Sequence, residues 1–204
     1  MAFPTEETLT EFVRQQLQAF ALEPVKVQIT RAGAHSSVTI AVDGPQTPSL
    51  DDLEEVTREI SASFDKAETD GRLDFGAQPY TLEITTPGVD TPLSQPYQWR
   101  RNQGRLVAII GLEAQAAFVA RIGALSEDES RVALIDPQPV KGKKTNGKAA
   151  GKHTPLTVMI AELAAFANPT TTAVVQVEFQ TPPAASAELA AADFATAELQ
   201  AHQG

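Results

Sequence analysis

Apolar positions in the first 85 residues recur with two different periods. Leu9, Phe12, Val13, Leu17 and Phe20 lie three or four apart and predict a helix that stops before Pro24. Thr5 is placed to cap it, with Glu6 and Glu7 at the positive end of the helix dipole. The period then drops to two. Val25, Val27 and Ile29, followed by Val38, Ile40 and Val42, flank the short link RAGAHS and predict an antiparallel hairpin. After the loop DGPQTPS, Ser49 opens a second helix with Asp51 and Asp52 in its first turn. Leu53, Val56, Ile60 and Phe64 form its buried stripe. Lys66 to Pro79 reads as a polar link. Tyr80, Leu82 and Ile84, alternating with Thr81, Glu83 and Thr85, give a third strand. The order α-β-β-α-β predicts a two-layer α+β domain in which helices and a half-exposed sheet cover one another.

The pattern breaks at Pro87-Gly88, a pair suited to a type II turn because proline presets one φ and glycine accepts the positive φ that follows. Pro92 and Pro96 keep the exit extended, as in a semi-rigid linker. Beyond Tyr97 short strands follow one another: residues 105–112, 117–125, 131–140, 156–160 and 172–179, with AELAAFAN forming a helical turn or two before the last. Five short strands in so little chain predict a closed barrel, since closure removes edges, and the helical turn favours an SH3/Sm-like barrel over an OB-like one. Residues 1–96 therefore read as one domain, 97–180 as a second, and the alanine-rich 181–204 as a tail that is disordered or becomes helical only on a partner.

Charge changes this picture more than composition does. The 204-residue chain has a net charge of −10, which taken alone argues against nucleic acid as a partner. By segment it is −10 for 1–96, +3 for 97–180 and −3 for 181–204. Half of the bases in the middle segment lie between Lys141 and Lys152, in a loop between two strands. The absence of cysteine excludes a disulfide scaffold, a thiolate zinc site and a cysteine nucleophile. No run reaches the roughly 18 apolar residues of a membrane span. The acidic start MAFPTEETLTEF is unlike a signal peptide, so a cytoplasmic protein without a membrane partner is expected.

The tract YTLEITTPGVDTPL, followed by WRRNQGRLVAI, resembles the bacterial ribosome maturation factor RimP family. The resemblance rests on Leu82, Glu83, Ile84, Thr85, Thr86, Pro87, Gly88, Val89, Asp90, Pro92 and Leu93, then on Trp99, Arg100, Arg101, Gly104 and Arg105. Thr91 stands where the family commonly has arginine, so an anionic contact through that position is in doubt. The resemblance spans about residues 5–180. It implies a non-catalytic factor that binds the immature small (30S) ribosomal subunit and promotes its maturation, with small-subunit ribosomal protein number twelve and nearby ribosomal RNA as partners. A monomer is expected. The alternative is an Sm-like RNA chaperone acting outside the ribosome as a closed ring.

The residues themselves offer binding chemistry and no catalytic constellation. GKKTNGKA, residues 142–149, misses a P-loop because Ala149 lacks the hydroxyl that would hold magnesium and no helix follows. Lys141, Lys143, Lys144, Lys148 and Lys152 can instead contact phosphates, or simply be solvated. Arg100, Arg101 and Arg105 stand beside Tyr97 and Trp99. They suit an RNA or protein contact, or else Trp99 is core and the arginines pair with the acidic domain. Asp51, Asp52, Glu54 and Glu55 are explained by the helix start, and Asp90 is expected to accept from turn amides. His35, His153 and His202 have no metal spacing, so neither metal nor cofactor is expected.

Overall fold

The computed structural model describes residues 3–32, 35–76, 79–112, 115–140 and 156–202. The chain divides into two compact units, Met1–Gly88 and Val89–Gly204.

In the first unit, α1 (Glu6–Leu17) is capped by Thr5, whose Oγ1 accepts from the Thr8 N–H at 3.2 Å, and it buries Leu9, Val13 and Leu17. The helix tightens into a 3₁₀ turn (Gln18–Phe20) and ends at Ala21, which takes a left-handed φ of 53°. β1 (Glu23–Ala32) and β2 (His35–Asp43) pair antiparallel, Val27 opposite Ile40 and Ile29 opposite Val38. A capping box starts α2 (Leu50–Thr69). The Ser49 N–H donates to Asp52 Oδ2 at 2.8 Å, and the Asp52 N–H donates to Ser49 Oγ at 3.2 Å. Ser49 Oγ also donates to Asp52 Oδ2 at 2.7 Å, and this bond, with that from the Ser49 N–H, holds the Asp52 carboxyl below the usual carboxylate range.

Val56, Ile60, Phe64 and Ala67 bury one face of α2, which returns the chain so that β3 (Tyr80–Thr85) lies parallel to β2. The sheet order is β1-β2-β3, and the central strand contributes Val38, Ile40 and Val42 to the core. The segment from Lys66 to Pro79 is more than a polar link. α2 continues through Thr69, and Leu73 and Phe75 are buried. The Phe75 ring lies 5.1 Å from Phe64 and stacks on Tyr80 at 4.3 Å. Two apolar residues are too few to show a period, yet they anchor this link to the core.

The second unit opens with a short helix, α3 (Pro96–Arg101), which the strand pattern did not reveal. Five strands follow: β4 (Leu106–Ile110), β5 (Phe118–Leu125), β6 (Arg131–Pro139), β7 (Val158–Glu162) and β8 (Thr172–Val175). They form an antiparallel sheet ordered β7-β6-β5-β4-β8, with a 3₁₀ turn (Leu163–Ala167) before β8. The five strands are those expected of the barrel, but its closure is not found: among the described residues β7 and β8 are edges with no ladder joining them.

The sheet is instead covered on both faces. Val107, Ile109, Ile122, Val132 and Leu134 face a core closed by Trp99 and Phe166, whose rings are 4.7 Å apart. Ala133 and Ile135 face the other way, onto α4 (Ala184–Ala191) and α5 (Phe194–Ala201), which bring Ala190 and Ala197 into a second core. Within the segment read as a tail, disordered or helical only on a partner, residues 184–191 and 194–201 are helical here. Small alanine side chains let the two helices sit close to β5, β6 and β7. Gly111 shows a comparable closeness. Its φ is +78°, and a Cβ there would lie 2.2 Å from the Thr170 carbonyl oxygen, so only glycine fits.

Candidate functional site

The signature tract runs from β3 across the division between the units. Glu83 is exposed on β3, with Thr39 Oγ1 donating to its Oε2 at 3.4 Å. Pro87 is half-buried, while Gly88, Asp90 and Pro92 are exposed. The turn falls at Val89 and Asp90, not at Pro87-Gly88, and Gly88 is not among the residues with positive φ. The type II turn expected there is not formed. Nor does Asp90 accept from turn amides: among the described residues its side chain makes no hydrogen bond. Leu93 is buried in the second unit, and its N–H donates to the Ala173 carbonyl at 2.8 Å, tying the tract to β8.

The arginines that follow are held by a compact knot. Gln98 Oε1 accepts from the N–H groups of Ser94, at 2.8 Å, and Gln95, at 3.1 Å, which satisfies donors that α3 leaves unpaired. Asn102 Nδ2 donates back to the Gln98 carbonyl at 2.8 Å, and Arg105 Nη1 donates to Asn102 Oδ1 at 2.9 Å. Trp99 is core. Arg100, Arg101 and Arg105 are exposed around it. Arg100 pairs with Glu129 of its own unit, in the turn between β5 and β6. In that turn Asp128 accepts from Ser126 Oγ at 2.6 Å and from Ser130 Oγ at 2.8 Å, bonds that hold its carboxyl down at about 2. Lys141, Lys143, Lys144, Lys148 and Lys152, with the near P-loop at 142–149, lie outside the described residues.

A second polar centre escaped the sequence reading. Arg121 is buried on β5 and forms a two-pronged pair with Glu178, Nη1 to Oε2 at 2.9 Å and Nη2 to Oε1 at 2.7 Å. Its Nη1 also donates to the Gly104 carbonyl at 2.7 Å, and its Nε donates to Ser186 Oγ at 3.3 Å. The guanidinium holds the Glu178 carboxyl below its ordinary range. One side chain thus joins β5, the turn after α3, the segment after β8 and α4. On either side of the inward-turned Glu178, Val177 and Phe179 face solvent, and Phe179 is 93% exposed.

Comparison with known proteins decides the family. A model of the RimP N-terminal domain matches residues 12–90. The ribosome maturation factor RimP of Corynebacterium kroppenstedtii is 41% identical over 204 residues, covering 95% of this chain and 98% of its own. The RimP of Corynebacterium diphtheriae is 40% identical over 95% of this chain and 94% of its own. That of Corynebacterium aurimucosum is 54% identical over 136 residues, 66% of this chain and 72% of its own. The chain belongs to the RimP family.

One residue of this RimP-family chain carried a signal that could have been read: Arg121 interrupts the apolar run FVARIGAL. Glu178 carried none, since it falls with Gln176 at the polar positions of the alternation VVQVEF and reads as an ordinary outward charge. Among the described residues no group of three His, Cys, Asp or Glu side chains could hold a metal ion, and no helix is long and apolar enough to cross a membrane. Exposed charge is divided between the units, with Arg100, Arg101 and Arg105 in one and carboxylates such as Asp51, Asp52 and Glu83 in the other.

Proposed function

We propose that this protein is a non-catalytic assembly factor of the cytoplasm that binds the immature small ribosomal subunit as a monomer and promotes its maturation. The observation that carries this reading is similarity over nearly the whole chain to proteins named ribosome maturation factor. Charge supports a division of labour. Met1–Gly88 holds 15 acidic against 6 basic residues, net −9, and suits a basic partner such as small-subunit ribosomal protein number twelve. The second unit, through Arg100, Arg101, Arg105 and the lysines between 141 and 152, suits ribosomal RNA. Glu83, Pro87, Gly88, Asp90, Pro92 and Leu93 then form the linker between two working domains. The order of the five strands, with the last returning beside the first after a 3₁₀ turn, supports an SH3/Sm-like ancestry for that unit without requiring closure. Affinity capture from lysate of the native organism is expected to recover small-subunit particles. Co-migration with large subunits, or with no ribosomal particle, overturns the reading.

A further inference from the structure

Within the first unit, α2 and β3 bound a groove of about 650 Å³. One wall is a polar stripe of α2 in which Ser61, Asp65 and Glu68 stand three or four residues apart. The other wall is apolar, built from Phe75, Tyr80 and Leu82, with the first two rings stacked at 4.3 Å. Its floor is the rim of a sheet, because β3 pairs only with β2 among the described residues and its outer edge is open. Burial, with the nearby charges of Glu68 and Asp65, pushes the Tyr80 hydroxyl up to about 12, so the phenol stays protonated and available as a donor.

An open strand edge offers backbone hydrogen bonds to an added strand, and a flanking pocket selects its alternate side chains. Here the pocket combines carboxylates with the partly exposed Tyr80 ring, behind which the buried Phe75 is stacked. That pairing receives a guanidinium or ammonium by charge and by cation–π contact, while its aliphatic stem lies along the apolar wall. The net charge of −9 on the unit favours the same sign of ligand.

We infer that the α2–β3 groove binds an extended, arginine- or lysine-bearing segment of a basic protein, which adds to the β3 edge and lays its cationic side chains against Asp65, Glu68 and the Tyr80 ring. This deepens the proposed function and rests on its reading of the acidic unit as the part that meets a basic protein.

The test uses the full chain, isotope-labelled, titrated with an end-blocked heptapeptide in which arginine alternates with threonine and valine. Resonances of Ser61–Glu68 and Tyr80–Ile84 are expected to shift, and β3 amides to exchange more slowly. Asp65→Asn with Glu68→Gln is expected to raise Kd about tenfold. Ser61→Trp, which fills the groove on an exposed helix position and leaves its charges intact, is expected to do the same. Shifts confined to another surface, or wild-type affinity in either variant, overturn the inference. Capture of small-subunit particles is run in parallel. Recovery of particles with no peptide shift in the groove removes the groove and leaves the proposed function. A groove that binds the peptide in a protein recovering no particle does the reverse.

Discussion

Arg121 is the residue on which the second unit depends most for polar order. Its side chain is 4% exposed and that of Glu178 is 24% exposed, so the pair lies largely out of water. A buried charge that loses its partner keeps its desolvation cost and forfeits the attraction that offset it. Glu178→Gln is therefore expected to destabilise the unit by about 3 kcal/mol, read as a lower urea midpoint. Adding Arg121→Met to it is expected to recover part of that loss, because the unpaired charge is then gone. A single variant as stable as the parent would show that the pair contributes nothing. The same chemistry sets a pH dependence. Glu178 and Asp128 both have folded-state pKa values below their unfolded ones, so the stability they add is complete above the unfolded values and disappears as pH falls through the folded ones. For Asp128 that window runs from its usual 3.8 down to about 2, and a carboxyl titration followed by NMR is expected to find its midpoint near the lower figure. A midpoint near 3.8 would mean that the Ser126 and Ser130 bonds do not persist in solution.

Between residue and molecule, the telling element is β6. Val132, Ala133, Leu134 and Ile135 are all fully buried, which a strand with one wet face cannot achieve. That unbroken apolar run already asked for cover on both sides, and among the described residues α4 and α5 supply the second. The tail itself hid the answer. Its fully buried apolar contacts are made by Ala190 and Ala197, side chains too small and too common in 181–204 to mark a face. The larger Leu189 and Phe194 are only partly buried. α1, α2 and the three strands of the first unit were legible because Leu, Val, Ile and Phe sit at clean periods there. Barrel closure was not legible for a related reason: five short strands do not specify whether edges are removed by pairing or tolerated beside covering helices. Ala197→Asp is expected to place an unpaired carboxylate between α5 and the sheet and to cost about 3 kcal/mol, read by chemical denaturation. Removal of residues 184–202 is expected to expose Ala133 and Ile135 to a hydrophobic dye. A tail that was only disordered would show neither effect.

At the scale of the whole molecule, what matters is how the net charge of −10 is distributed. A uniform acidic surface repels the phosphate backbone, whereas a chain with one strongly acidic unit and a basic stretch elsewhere can meet basic protein and RNA in a single particle. The acidic front was readable directly, and the structure adds where its carboxylates stand relative to aromatic faces. The basic stretch was readable only as composition, because lysines spaced irregularly through glycine and alanine imply no element. Arg100, already paired with Glu129, has less charge to offer RNA than Arg105, whose observed bond goes to the neutral Asn102. The measurement that separates these contributions is the salt dependence of binding to purified small subunits. Each phosphate contact made by a cation releases condensed counterions, so log K falls with log salt by about 0.7–0.9 per contact. Deleting residues 141–152, which carry five lysines, is expected to flatten that slope by several units, and Arg105→Gln by about one. Arg100→Gln is expected to change it little, since its partner Glu129 would be left behind as a free negative charge in either state. An unchanged slope after the deletion would assign the lysines to solvent and leave the acidic unit as the principal contact with the particle.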